Sequence, residues 1–381
     1  MKKLIFKNSL LFRFVAFFLM LAIPLINCSI AKSNPSIPNE RTIAFKRAKS
    51  LDNGVSISWL EQTWSKDILN ENALQNSDFV LIKKLGFKSI RLPVAFTYFE
   101  SHNIPVEKVL LLIDDVIRQC HRYGLKLIID YHYGELGDNN YYSETSRVIN
   151  TWNILTKRYI KENDDDLIFE LYNEPPHMDP QRWKDAAFNI ITAIRKIDKQ
   201  RTLIVGASNF NSIYELSRFI RFADENIIYT FHFYEPFLFT HQGATWAGEQ
   251  VTTTGVPFPY NAEKFPALNP QAKNTWGETN YYQYQHDGNE QSIVDKLNIV
   301  KKWGDKYNVP LLCGEYGVYN KYADLDSRCR YIKVVRKTLK ALNIPGMLWD
   351  YNSTFSIFNG KPSVETLPDC MKDAIDYHKA N

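Results

Sequence analysis

Eight short, apolar, β-rich runs recur along this chain with helix-like stretches between them, and that alternation constrains the fold more than any other feature. The runs are Gly54 to Trp59, Ser89 to Pro93, Lys126 to His132, Leu167 to Asn173, Thr202 to Ala207, Ile227 to Phe233, Val309 to Glu315 and Gly346 to Trp349. Helical periodicity covers Leu74 to Leu85, Val106 to Tyr123, Arg147 to Lys161, Trp183 to Ile197 and Ser292 to Tyr307. The runs are apolar throughout, as parallel strands covered on both faces must be. Strand and helix repeat mostly every 25 to 41 residues, which predicts an α/β fold, a single (β/α)₈ TIM barrel. The sixth and seventh runs are about 80 residues apart. The excess, Glu235 to Glu290, is a long insertion after the sixth strand, on the face where a barrel carries its chemistry.

The first 31 residues read differently. Lys2, Lys3, Lys7 and Arg13 precede an uncharged apolar run from Phe14 to Ile26. That run is too short to span a bilayer and suits the core of a signal peptide. Cleavage is expected after Ala31, which makes residues 1–31 a signal peptide, 32–44 a linker with Pro35 and Pro38, and 45–381 one catalytic domain. The expected location is secreted or periplasmic, with no stable membrane insertion after cleavage. A lipoprotein anchored through Cys28 is the alternative, disfavoured because Asn27 stands where a lipobox carries a small residue. The leader takes four basic residues and no acidic one from totals of 46 and 42, so the remainder is formally neutral. No nucleic-acid footprint results, and a monomer is expected. Four cysteines follow the leader, Cys120, Cys313, Cys329 and Cys370. They allow three full disulfide connectivities and show no zinc spacing, and Cys313 in its apolar run reads as a packed thiol.

Six of the eight runs end in groups that bind or react: Arg91 before Pro93, Asp130-Tyr131-His132-Tyr133, Asn173-Glu174-Pro175, His232-Phe233-Tyr234-Glu235, Cys313-Gly314-Glu315-Tyr316 and Trp349-Asp350. In a barrel these ends converge on one mouth. Pro175 and Pro176 lack backbone donors, so Glu174 is poorly placed to act as a mere helix cap. Two glutamates on different strand ends form a pair suited to acid/base and nucleophilic work on a glycosidic bond. Glu170 shares strand parity with Glu174 and is read as supporting or structural. Asp164-Asp165-Asp166 precedes the fourth strand, at the opposite end from the chemistry, and reads as a solvated turn. His132 and His232 lack the clustered partners of a hydrolytic zinc site, so no metal and no cofactor is expected. Gly206-Ala207-Ser208 lacks the flanks of a nucleophile elbow.

Taken together, Arg91-Leu92-Pro93, His132, Asn173-Glu174-Pro175, His232-Phe233-Tyr234, Glu315 and Trp349 resemble the family 5 glycoside hydrolases, the cellulase family of retaining (β/α)₈ enzymes, over roughly residues 45 to 375. The run Phe237 to Gly243 also looks like bacterial members. The resemblance implies that Glu174 is the general acid/base and Glu315 the nucleophile. It implies that Asn173 binds the sugar 2-hydroxyl and that Arg91 and Tyr234 hold Glu315 ionised and oriented. His132 and His232 would position the sugar and tune Glu174, with Trp349 as the floor beneath the reacting ring. Two positions depart from the family pattern: Asn53-Gly54-Val55-Ser56 stands in place of Arg-Gly-x-Asn, and Tyr133 in place of a second histidine.

The expected partner is a polysaccharide or oligosaccharide, first a β-1,4-glucan cleaved by an endoglucanase, next a mannan or β-1,3-glucan. From another class, a non-catalytic carbohydrate-binding surface protein is the rival, and retention of the full polar set argues against it. Trp246, Tyr260, Trp276, Tyr281, Tyr282 and Tyr284 crowd the insertion, where they either stack on sugars or pack the loop.

Overall fold

A computed structural model describes residues 40–377. Strands β1 (Gly54–Ser56), β2 (Ser89–Val94), β3 (Lys126–Tyr131), β4 (Leu167–Glu170), β5 (Leu203–Val205), β6 (Ile227–His232), β7 (Leu311–Tyr316) and β8 (Gly346–Leu348) pair in sequence order, and β8 returns to β1 to close the barrel. Every pairing is parallel. All eight expected runs supply a strand, although hydrogen-bonded pairing stops earlier than the apolar sequence in β1 and β4.

The connecting helices follow from their periodicity. In Pro180–Ile197 the side chains of Trp183, Ala186, Ala187, Ile190, Ile191 and Ile194 fall on one buried stripe, the 3.6-residue pattern of a helix lying on a sheet. Asp179 caps it by accepting from the Gln181 and Arg182 amides, with Pro180 at the first helical position, where a missing N–H costs nothing. Val106–Tyr123 ends at Gly124, whose φ of 60° is left-handed, a conformation that glycine adopts without a Cβ penalty.

The barrel floor corrects one boundary. Residues 40–44, expected in the linker, belong to the helix Glu40–Ser50, and Ala44 is fully buried. Ala48 and Leu51 join Ile128, Ile168, Ile204, Ile228, Leu312 and Met347 in a separate apolar cluster, so this helix plugs the N-terminal end of the barrel. Gly54 stands where any Cβ would lie 2.0 Å from the Met347 sulfur, so the plugged floor requires glycine there. The triple aspartate is also more than a solvated turn. Asp165 accepts from Arg47 at 2.9 Å and Lys46 at 2.7 Å, Asp164 pairs with Arg201 at 3.2 Å, and Asp166 pairs with Lys126 at 2.6 Å. Asp165 fastens the plug, while Asp164 and Asp166 tie the turn to Arg201 and to β3.

Cys329 and Cys370 form a disulfide across a sequence separation of 41, while Cys120 and Cys313 are buried thiols. The leader and Cys28 lie outside the described residues. Among the described residues no helix is long and apolar enough to cross a membrane.

Candidate active site

Local structure at the end of β4 aims Glu174 into the barrel mouth. After Glu170 the chain runs buried through Leu171, Tyr172 and Asn173, then turns at Glu174 with φ 42°. Left-handed backbone at a non-glycine residue costs on the order of 1–3 kcal/mol and persists only where its surroundings impose it. Here they do: the carbonyls of Pro175 and Pro176 accept from the amides of Phe210 and Asn209 at 2.8 and 3.0 Å. Glu315 sits inside β7, opposite His232 at a register shift between β6 and β7. An oxygen of Glu174, one of Glu315 and a nitrogen of His232 all lie within 4.8 Å of one another.

Arg91 organises the floor of this site. It is fully buried and donates to Glu170 at 2.7 Å, Glu315 at 2.8 Å, Asp130 at 3.0 Å and the side-chain Oδ1 of Asn173 at 2.8 Å. The second Glu315 oxygen accepts from the Tyr234 hydroxyl at 2.8 Å. Each Glu315 oxygen thus has its own donor. Glu174 has no cationic donor; its Oε1 lies 2.7 Å from His232 Nδ1.

Three carboxyl groups, Glu170, Glu315 and Asp130, therefore share one guanidinium, with Glu174 beside them and both imidazoles neutral. Burial pushes His132 down to about 3 and His232 down to about 4. Burial lifts Glu174 to about 7, with Arg91 opposing. Asp130 rises to about 7 for the same reason, again against Arg91. Glu315 is raised by burial and by Glu174, while His232 and Arg91 pull it down. Two carboxyls this close ionise as a pair, and the anion settles on the one with two donors, Glu315. Glu174 retains the proton.

All eight residues singled out from the sequence meet in this mouth. His132 stacks on Trp349 at 5.8 Å between ring centres and 5° between planes. Its Nδ1 is 2.7 Å from Asp130, and its Nε2 is 3.4 Å from the Asn173 amide nitrogen. Glu174, His232 and Glu315 are also a donor set that a metal ion could use. Arg91 and Tyr234 already occupy both oxygens of Glu315, so the residues present fit acid/base work better than a cation.

The sequence profile described as Cellulase (glycosyl hydrolase family 5) matches residues 49–354. The chain belongs to glycosyl hydrolase family 5. Endoglucanase 3 of Fibrobacter succinogenes is 31% identical over 83% of this chain, which spans 52% of that protein. Endoglucanase C of Acetivibrio thermocellus is 30% identical over 83% of this chain and 94% of that protein. A solved endoglucanase of Thermotoga maritima superposes with a TM-score of 0.71 at 24% identity, covering 87% of this chain and 99% of that one; it has the same fold.

Within this family 5 chain, several supporting residues escaped sequence reasoning. Asp130 is two residues from His132 on one strand face, a spacing that signals a carboxylate orienting an imidazole. Glu170, left between supporting and structural, is Arg91's main partner. Asn211, 3.3 Å from His232, had no signal, since it arrives on a loop after β5. The family's first-strand departure is also explained: Asn53 lies outside the site, donating to the Gly86 carbonyl at 2.8 Å and accepting from Arg336.

The insertion divides its aromatics between two tasks. Tyr284 is buried and donates to the Pro257 carbonyl; Tyr281 donates to that of Pro266, and both pack with Tyr260 around Phe265. These pack the loop. Trp246, Trp276 and Tyr282 remain exposed. Trp246 stands edge-on to Tyr319 at 4.8 Å, against a cluster that contains Trp349 and Phe355 with Tyr234 beside it.

Proposed function

We propose that this chain is an exported, retaining endo-β-1,4-glucanase that works by double displacement. The observation that carries the mechanism is the approach of the Glu174 and Glu315 oxygens to within 4.8 Å. Retaining glycosidases place their carboxyls roughly 5–5.5 Å apart, whereas inverting ones leave roughly 6.5–9.5 Å for a water. Glu174, still protonated near neutrality, donates to the leaving glycosidic oxygen while Glu315 attacks the anomeric carbon. Glu174 then removes a proton from water, and that water displaces Glu315. The Asn173 amide, its oxygen held by Arg91, points its nitrogen to the pocket side for the sugar 2-hydroxyl. Trp349 supplies the apolar floor. The endoglucanase names of the relatives support glucan as substrate, and the disulfide supports an oxidising destination.

A polysaccharide panel of barley β-glucan, carboxymethyl cellulose, mannan and a β-1,3-glucan tests this, with the anomer of the first product followed by NMR. Glucan cleavage with a β-anomer at early times is expected. Preference for mannan would move the substrate, and an α-anomer would reject double displacement.

A further inference from the structure

Asn211 is fully buried, and its side chain reaches the imidazole that touches Glu174. Its Nδ2 lies 3.3 Å from His232 Nε2, while His232 Nδ1 lies 2.7 Å from Glu174 Oε1. The other end of that amide, Oδ1, is buried with no hydrogen-bond partner among the described residues. A buried acceptor left unpaired is costly and calls for a reason. The backbone is also strained to deliver this side chain. Asn209, Phe210 and Asn211 have φ of 58°, 60° and 54°, left-handed residues in succession, which persist only where their surroundings impose them. The same segment braces the turn behind Glu174 through the carbonyls of Pro175 and Pro176. Gly206 leaves the amide its room, since a Cβ there would lie 2.0 Å from Asn211 Oδ1.

The contacts of His232 decide which ring nitrogen carries its proton. A neutral imidazole has one N–H and one lone pair. Nδ1 faces two carboxyl oxygens, Glu174 Oε1 at 2.7 Å and Glu315 Oε2 at 3.4 Å. A lone pair there would be set against the Glu315 anion, so the proton belongs on Nδ1. Nε2 then holds the lone pair and needs a donor. Asn211 Nδ2 is that donor. Turning the amide over would set Oδ1 against the Nε2 lone pair, which is why Oδ1 stays on the far side even though it goes unpaired there.

We propose that Asn211 is a positioning residue for the acid/base step: by donating to His232 Nε2 it fixes Nδ1 as the N–H, and that N–H, spent on Glu174 Oε1, confines the Glu174 proton to Oε2. Oε2 is then the oxygen that serves the glycosidic bond. In the first displacement its proton passes to the leaving oxygen as the bond from that oxygen to the anomeric carbon breaks and Glu315 bonds to the carbon. In the second, Oε2 takes a proton from water as the water oxygen displaces Glu315. His232 keeps its Nδ1–H through both. Without Asn211 the ring is free to carry its proton on Nε2, and the Nδ1 lone pair then draws the Glu174 proton onto Oε1, away from the substrate. The inference rests on the double-displacement reading above.

Asn211→Gly and Asn211→Asp both accept a left-handed backbone, so each removes the donor without unseating the segment. The ring nitrogen chemical shifts of His232, assigned by the signals that His232→Gln loses, are expected to show Nδ1–H in the parent and mixed protonation in Asn211→Gly. Asn211→Asp should show a protonated Nε2, because a carboxylate there can only accept. For kcat/KM, the polysaccharide that the parent cleaves best is set against a dinitrophenyl β-glycoside of the same sugar, whose leaving group departs without a proton. Both variants should lose roughly tenfold or more on polysaccharide, Asn211→Asp the more, and stay within about twofold of the parent on the aryl glycoside. Nε2–H in the parent, parent-like cleavage of polysaccharide by Asn211→Gly, or equal losses on both substrates overturn the proposal, the last by marking Asn211 as structural alone. The parent's shifts decide even where a variant fails to fold. A parent that cleaves no β-glycan rejects the glycosidase reading, and the ring shifts still judge Asn211: a tautomer unchanged in both variants overturns its role.

Discussion

Glu174 and Glu315 approach within 4.8 Å, yet only Glu315 receives donors on both oxygens, Arg91 on one and Tyr234 on the other. In the proposed mechanism that asymmetry makes Glu174 the proton donor and Glu315 the anion. Glu174→Gln is expected to reduce kcat on polysaccharide by roughly 10²–10⁴-fold, the span that a positioned proton donor contributes. Glu315→Gln should remove turnover at least as completely. Azide separates the roles: with an activated aryl glycoside, Glu174→Ala should yield a β-glycosyl azide and Glu315→Ala an α-glycosyl azide. The same azide anomer from both variants would contradict the assignment.

The pH profile follows from the same pair. Glu174 must begin protonated, and its folded value lies at about 7, so kcat/KM should fall as pH rises through about 7. Glu174→Gln cannot lose that proton, and its residual activity should be flat across the same window. A parent profile still rising above pH 8 would mean that another group delivers the proton.

Glu61 sets a stability trend of opposite origin. Burial raises its folded value to about 8 from 4.5, so above pH 4.5 the unfolded chain releases a proton that the native state keeps. Stability from this group is therefore lost progressively as pH rises from about 4.5 to 8. Glu61→Gln lacks that loss. Its stability relative to the parent should climb between pH 5 and pH 8 by on the order of a few kcal/mol or less, seen as a rising difference in melting temperature. A constant difference across that range would show that Glu61 is ionised throughout.

The disulfide joins the helices Leu325–Ala341 and Asp369–Ala374. Cys370→Ser should cost about 2–4 kcal/mol by freeing the unfolded chain, seen as a lower melting temperature. Activity at room temperature should persist, because the bridge joins two helices and includes none of the residues assigned to the site. Loss of activity without loss of fold would tie the bridge to the site.

What the sequence exposes and what it hides divide along physical lines. The eight strands were legible because both faces of a parallel barrel strand are buried, which leaves an apolar run in each. The juxtaposition of Glu174 and Glu315, the proposed catalytic pair, was legible because strand ends in a barrel converge. Asp130 and Glu170 were harder: their meaning comes from Arg91, which is 39 and 79 residues away in sequence and reaches them only once β2, β3 and β4 lie side by side. Tyr133 was visible as a departure from the family pattern, but its edge-on packing against His132 comes with a left-handed backbone that no periodicity reports. The disulfide was undecidable, since four cysteines allow three pairings.

The floor helix was misjudged for a related reason. Its eleven residues, Glu40–Ser50, are rich in Lys and Arg, and the first five of them read as linker because the apolar contacts here, Ala44, Ala48 and the following Leu51, are few. Its anchorage is polar and distant. Arg47 donates to Asp165 at 2.9 Å, to Thr202 at 2.8 Å and to the Gln200 carbonyl at 2.7 Å. Breaking a buried, hydrogen-bonded charge pair costs about 3–5 kcal/mol, since the partner is left uncompensated; Asp165 is partly exposed, so Arg47→Ala should cost the lower part of that range. A chain begun at residue 45 loses the first turn of the plug and should melt below one begun at residue 39, with the same kcat where both are folded. Equal melting temperatures for the two, measured by calorimetry at one pH, would return residues 40–44 to the linker.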